Sequence, residues 1–187
     1  MTTNALWYLA RGTGVMTLIL FSVVVALGIA TRSARPVFGL PRFAVVAVHR
    51  SASLLSLVFL VIHVGTMLLD PSAPLRLVDV LVPFAGPYRP FWLGLGTLAA
   101  ELLVAVLVTS LLRQRIGYRV WRFVHWSAYA AWPVAVGHAV GTGTDNGSVW
   151  LWLTVAGCVG LVAACVAWRL STGFSPRPKT AALVGAR

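Results

Sequence analysis

Apolar residues run along this chain in long uninterrupted stretches, and polar residues gather in the short segments between them. A helix needs about 20 mostly apolar residues to cross the hydrocarbon core of a bilayer. Five stretches reach that length, and each predicts one membrane-spanning helix. The predicted helices cover residues 6–31, 43–69, 91–112, 120–140 and 149–170.

Proline positions support these boundaries, because proline disrupts helix interiors. Nine of the ten prolines lie outside the five segments, and Pro133 is the exception. Membrane strands are not expected, since the stretches are too long and do not alternate in polarity. The predicted fold class is an all-α membrane protein, a bundle of about five transmembrane helices within residues 1–170, followed by a short cytoplasmic tail at 171–187.

Composition and charge agree with a membrane protein and predict its orientation. Hydrophobic residues make up 59% of the 187 residues and charged residues only 10%, against about 25% charged in soluble domains. Twelve of the 15 basic residues lie in or beside the segments after the first and third helices, or in the C-terminal segment. The positive-inside rule makes that side cytoplasmic and places the N-terminus outside. The net charge of +11 therefore indicates topology, and we expect a multi-pass plasma-membrane protein whose partner is the lipid bilayer, not nucleic acid.

All four histidines of the chain lie in predicted helices, two in each. His49 and His63 are fourteen positions apart in the second helix, and His125 and His138 are thirteen apart in the fourth. Ionisable groups inside a membrane are costly, so they indicate function by default. A rise of about 1.5 Å per residue separates the two imidazoles of each helix by about 20 Å. Because both helices run from the cytoplasmic to the outer side, His49 and His125 lie at one inner depth, and His63 and His138 at one outer depth.

Facing imidazoles at one depth suit a haem iron, which two histidines can ligate from opposite sides. The pattern therefore predicts two stacked b-type haems, one in each leaflet. No Cys-x-x-Cys-His motif occurs, which excludes covalent c-type attachment. An interval of fourteen returns nearly to one helix face, whereas thirteen misses it by about 140°. Pro133, between His125 and His138, is expected to rewind or kink the fourth helix locally.

Several segments resemble the ferric reductase-like transmembrane family, which includes the haem subunits of bacterial methionine sulfoxide reductase systems and the haem-bearing cores of NADPH oxidases. These segments are VHRSASLLSLVFLVIH at 48–63 and GYRVWRFVHWSAYAAWPVAVGH at 117–138, with weaker likeness at 10–14 and 87–92. The resemblance implies a ferric reductase-like haem domain over 1–170 that passes electrons across the bilayer. It implies that His49 and His125 hold the inner haem iron, and that His63 and His138 hold the outer one.

The resemblance also implies redox partners. Many family members have six helices, whereas this sequence predicts five. The oxidases and the fungal-type reductases of the family carry a fused flavin and nicotinamide domain, which this sequence does not predict. The electron donor is therefore expected to be a separate flavoprotein or a quinone, with flavin or quinone as a further cofactor. The expected acceptor is extracytoplasmic, either ferric iron or a partner flavoprotein or reductase. Whether the chain is itself an oxidoreductase or the electron-transfer subunit of one stays open.

Three arginines are candidates for binding haem propionates, because carboxylates favour basic partners. Arg11 lies about one turn inside the outer end of the first helix, at the depth of the outer haem. Arg50 and Arg122 lie close in sequence to His49 and His125 and suit the inner haem. The alternative for Arg11 is an interfacial side chain that snorkels to the headgroups. The alternative for Arg50 and Arg122 is the positive-inside signal alone.

Glu101 lies near the middle of the third predicted helix, where a charge costs about 3 kcal/mol on insertion scales. We expect it to face the bundle. It supports a rival hypothesis, a metal-ion or proton transporter that uses the intramembrane histidines and Glu101. A third hypothesis is a membrane scaffold subunit whose histidines only hold helices together.

Overall fold

Helices make up most of the structure, a computed structural model that describes residues 2–34, 36, 39–71, 73, 75–142 and 147–174. Those residues form seven helices and no β-strand. The helices are α1 (Thr2–Ala30), α2 (Arg42–Leu69), α3 (Leu77–Leu81), α4 (Pro90–Leu111), α5 (Arg113–Ile116), α6 (Tyr118–Thr142) and α7 (Val149–Leu170). Of the predicted tail, positions 175–187 lie outside the described residues.

The all-helical fold class is confirmed, and each of the five predicted spanning segments forms a helix. Within the described part of the chain, four helices are long and apolar enough to cross a membrane: Ala5–Ala30, Arg42–Leu69, Pro90–Leu111 and Val149–Leu170. The 25-residue helix α6 is not among these four. It is less apolar because it carries two arginines and two histidines. A membrane crossing by α6 and the orientation of the bundle remain predictions.

Proline and glycine mark several helix ends. α2 begins directly after Pro41, and α4 begins at Pro90, where the missing backbone N–H of proline costs nothing in the first turn. Gly117 separates α5 from α6 with a φ of 81°, a conformation that glycine adopts without steric penalty. These breaks turn the chain back on itself between consecutive long helices.

α1 is the central helix of the bundle. It packs along α2 and also contacts α6 and α7, whereas α4 packs along α6. One core cluster joins α1, α6 and α7 through Phe21, Val25, Ile29, Ala131 and Val162. A hydrogen bond of 2.9 Å from Trp132 Nε1 on α6 to Ser22 Oγ on α1 crosses the same region. Close packing and such interhelical hydrogen bonds are what hold helices together in a membrane.

The short helix α3 is fixed over one end of α4. Asp79 accepts hydrogen bonds from the guanidinium and from the backbone N–H of Arg76, both at 3.0 Å, which fixes the first turn of α3. The bonds from the guanidinium and the backbone hold the pKa of Asp79 below its usual range. The Asp79 carbonyl accepts a hydrogen bond from Thr97 Oγ1 at 2.8 Å. Phe84 packs against Gly94, where a Cβ atom would have no space.

Candidate functional site

The four histidines form two facing pairs between α2 and α6. The rings of His63 and His138 have centroids 6.5 Å apart and planes inclined at 76°. The rings of His49 and His125 have centroids 6.4 Å apart and planes inclined at 66°. We call the first the α3-end pair and the second the α5-end pair, after the short helices at the two ends of the bundle. The predicted pairing by depth is therefore the pairing that the structure contains.

The ring separations fit an iron atom held between two imidazoles. A metal–imidazole bond is about 2 Å long and the ring centre lies about 1.2 Å beyond the nitrogen, so two opposed ligands place their centroids about 6.4 Å apart. Both pairs have this spacing. Among the described residues, no group of three or more histidine, cysteine or acidic side chains gathers in one place. The candidate sites are thus two-ligand sites, as a porphyrin iron requires and a zinc ion does not.

Three of the histidines are oriented by backbone carbonyl groups of a neighbouring helix. His63 Nδ1 donates to the Ala10 carbonyl at 2.7 Å, and His49 Nδ1 donates to the Val24 carbonyl at 3.1 Å. On the other side, His138 Nδ1 donates to the Trp92 carbonyl at 2.9 Å. A carbonyl oxygen can only accept, so Nδ1 carries the proton in each case. The Nε2 lone pair is left for a metal, which is the usual arrangement of a metal-binding histidine.

A glycine lies four residues after each of these carbonyl groups, on the same helix. A Cβ atom on Gly14 would lie 2.9 Å from the His63 ring, and one on Gly96 would lie 2.5 Å from the His138 ring. A Cβ atom on Gly28 would lie 3.5 Å from the His49 ring, an ordinary contact. We call each combination of accepting carbonyl and following glycine a carbonyl–glycine seat. At Gly14 and Gly96 the ring occupies the space that any side chain would need.

His125 has no such seat. Its Nδ1 atom is buried and has no hydrogen-bond partner within the described part of the chain. Its ring instead stacks on Trp121, one turn earlier in α6, with centroids 4.9 Å apart and planes inclined at 28°. Trp121 is itself covered by the Arg113 guanidinium, 4.4 Å from the ring centre, and donates a 3.2 Å hydrogen bond to Ser110 Oγ. The α5-end pair is therefore supported on one side only.

A cavity of about 450 Å³ surrounds the α3-end pair. Its wall includes both His63 and His138, and it is mostly apolar, as binding sites for organic cofactors are. Arg11 also lines it, and its guanidinium lies 4.0 Å from the centre of the Trp7 ring and 5.7 Å from that of Trp150. A flat apolar macrocycle with carboxylate arms matches this combination of apolar wall, facing imidazoles and one arginine.

Arg50 and Arg122 lie in different surroundings from Arg11. Both side chains are exposed. Arg122 lies 5.8 Å from the centre of the Trp126 ring and borders a surface groove between α4 and α6. Their predicted role at the inner haem therefore stays a prediction.

The expectation that Glu101 faces the bundle is wrong. Glu101 is exposed, and the residues that line the α3-end cavity include its neighbour Ala100 but not Glu101 itself. The reason lies in α3, which covers α4 only along its first turns, at Gly94 and Thr97. One turn deeper on the same face, where Glu101 lies, no described element covers the helix. The structure does not bring Glu101 together with the histidines.

The seat residues were missed by reasoning from sequence, although the sequence contains a signal for them. The interval from Gly14 to Gly28 is the same as the interval from His49 to His63. If each histidine ring packs against a glycine of the neighbouring helix, the two glycines must be spaced like the two histidines. No second glycine follows Gly96 at this interval, so the signal is present in one half of the bundle only.

A model of the family described as ferric reductase like transmembrane component matches residues 13–136. That segment contains three of the four histidines and ends two residues before His138. No curated protein and no solved structure matches the chain.

Proposed function

We propose that this chain, which belongs to the ferric reductase-like family of transmembrane components, carries electrons across a membrane through two b-type haems. The observation that carries the proposal is the pair of facing imidazoles at each of two levels, with ring centroids 6.5 and 6.4 Å apart. Membership of the family suggests transmembrane electron transfer in general terms, and the histidine geometry supplies the two places where a redox group would be held.

Each helix pair has a distinct part in holding the haems. α2 and α6 would contribute the ligands, His49 with His125 for one haem and His63 with His138 for the other. α1 and α4 orient three of these rings through carbonyl–glycine seats, which fixes Nε2 as the ligating atom. When bound, haem supplies a one-electron couple whose potential depends on its axial ligands and on burial. The chain supplies the ligands, their orientation and the apolar surroundings.

Arg11 is the proposed partner of a propionate group at the α3 end. It lines the same cavity as His63 and His138, and its guanidinium lies near the rings of Trp7 and Trp150. A guanidinium beside a carboxylate in an apolar cavity forms a strong charge-assisted hydrogen bond. Arg50 and Arg122 are proposed for the α5-end haem because of their sequence positions, and their exposed side chains would then have to turn toward it.

The proposed orientation follows from the distribution of basic residues. The α5 end carries the arginine-rich segments and is proposed to be cytoplasmic, which places the α3 end outside. Electrons would then enter at the α5-end haem from a flavoprotein or a quinone and leave at the α3-end haem. The proposed acceptor is extracytoplasmic, ferric iron or a partner reductase, and the membrane is the plasma membrane.

Electron transfer through sealed vesicles tests the function directly. The purified protein is inserted into liposomes that contain ferricyanide, and dithionite is added outside. Ferricyanide should be reduced inside protein-containing liposomes at a rate well above that of empty ones. The double variant His63→Ala, His138→Ala should lower this rate to the background, while the variant Gly12→Ala, at a position with open space around the glycine, should not. Equal rates in wild-type and empty liposomes would contradict the proposal.

A further inference from the structure

The carbonyl–glycine seats repeat along α1 at a fixed interval. The step from Ala10 and Gly14 to Val24 and Gly28 equals the step between His63 and His49, the two rings that these seats receive. This interval of fourteen positions is close to four full turns, so both seats and both rings face the same way. The α1–α2 half of the bundle thus holds both of its histidines in the same manner.

The α4–α6 half departs from this pattern at the α5 end. α4 has one seat, formed by Trp92 and Gly96, and the corresponding positions one such interval later are Val106 and Ser110. The Ser110 hydroxyl donates to the Val106 carbonyl at 2.6 Å. At this position of α4 a serine side chain therefore stands where the other seats have a glycine.

The side chain of α6 that contacts Ser110 is a tryptophan and not a histidine. Trp121 Nε1 donates to Ser110 Oγ, and His125 lies one turn further along α6. The interval from His125 to His138 is one position shorter than that between the histidines of α2, so a straight helix would not present both rings to α4 alike. What remains for His125 is the stacking contact with Trp121, while its Nδ1 atom is buried without a partner among the described residues.

From this asymmetry we propose that His125 is an exchangeable ligand and that the α5-end site can bind a small exogenous ligand of the carbon monoxide class in its place. This inference rests on the proposed function, since it needs haem at that site. The other three histidines are each tied to a carbonyl group of a neighbouring helix, so releasing any of them also breaks a hydrogen bond. Releasing His125 from the iron would break, besides the bond to iron, only its stacking contact with Trp121. Its Nδ1 atom has no hydrogen bond to lose among the described residues.

Carbon monoxide binding to the dithionite-reduced, haem-loaded protein tests the inference, with haem content measured on the same sample. We expect two haems and one bound carbon monoxide per chain. The binding rate should be limited by the dissociation of His125 from the iron. The variant His125→Ala should keep the stoichiometry at one and make binding much faster and proportional to carbon monoxide concentration. Two bound carbon monoxide molecules in that variant would show that the wild-type protein binds carbon monoxide at the α3-end haem, and would overturn the inference.

A second variant keeps the test decisive if His125→Ala does not retain its haem. Trp121→Leu removes the stacking contact, and carbon monoxide should then bind about two- to tenfold faster, the factor expected for losing an aromatic contact. Phe123→Leu is the matched control, because that ring is exposed on the same helix. Equal rates in both variants would overturn the inference.

The two proposals fail in different ways. A preparation with two haems per chain and no carbon monoxide binding overturns the exchangeable ligand and leaves electron transfer standing. A preparation without haem overturns the proposed function, and the exchangeable ligand with it.

Discussion

The two ends of the bundle hold their histidine pairs at almost the same distance but with different support. Both ligands of the α3-end pair have carbonyl–glycine seats, and a cavity surrounds them. In the α5-end pair only His49 has a seat, and His125 depends on an aromatic neighbour. Helix placement thus fixes the separation of two ligands, whereas the neighbouring backbone decides how firmly each one is held.

Filling a seat should have the largest effect. In Gly96→Ala the new Cβ would lie 2.5 Å from the His138 ring, and overpacking of this kind costs about 1–3 kcal/mol. Displacement of His138 should reduce haem content from two per chain toward one. Gly12→Ala is the control, because a Cβ there meets nothing within 4 Å. Two haems with an unchanged spectrum in Gly96→Ala would show that the seat does not position the ligand.

The three seats should also rank by their tightness. Gly28→Ala places its Cβ 3.5 Å from the His49 ring, an ordinary contact, whereas Gly14→Ala places it 2.9 Å from the His63 ring. We therefore expect Gly28→Ala to keep two haems and Gly14→Ala to lose the α3-end haem. Haem content per chain checks both variants, and the reverse order would show that the distance between glycine and ring does not control haem binding.

A smaller effect is expected from the hydrogen bond that joins α6 to α1 between the levels of the two histidine pairs. Trp132→Phe removes the hydrogen bond to the buried Ser22 hydroxyl and should cost about 1 kcal/mol in the free energy of unfolding. Haem content at both ends should stay the same. Trp126→Phe, at an exposed position of the same helix, is the control for stability. Loss of haem from one end alone would show that this bond supports a single site.

The smallest effect should come from the hydrogen bonds that hold helix α3 at its end of the bundle. The hydrogen bonds from Arg76 hold the pKa of Asp79 below its usual range, so the folded state favours the charged carboxylate. This stabilisation is present above the unfolded-state pKa of about 4 and is lost as the pH falls through the lower folded-state pKa. Amide exchange in α3, corrected for its intrinsic pH dependence, should therefore rise at low pH. Asp79→Asn should exchange rapidly at every pH and lose this dependence.

Much of the architecture follows from sequence because a membrane imposes a simple length rule. Five apolar stretches predict five helices whose ends lie within a few residues of those observed, and prolines such as Pro41 and Pro90 mark the breaks. The pairing of His49 with His125 and of His63 with His138 also follows, since two helices that run in the same direction place near-equal spacings at equal depths. These inferences need only helix rise and chain direction.

What could not be predicted depends on contacts between helices that are distant in sequence. For three of the four histidines the partner of Nδ1 is a backbone carbonyl 25 to 53 residues away, which no side-chain pattern reveals. The exposure of Glu101 depends on how far α3 extends over α4. The poor support of His125 depends on Ser110, at the place where the other half of the bundle has Gly28, and on the shorter interval between His125 and His138.

The most direct measurement for the central claim is haem content per chain in the wild type and in single alanine variants of the four histidines, determined as the pyridine haemochrome. Two b-type haems in the wild type are expected, with His63→Ala and His138→Ala each losing the α3-end haem and His49→Ala losing the α5-end haem. A wild-type protein that purifies folded but without haem, or variants that all retain two haems, would contradict the account.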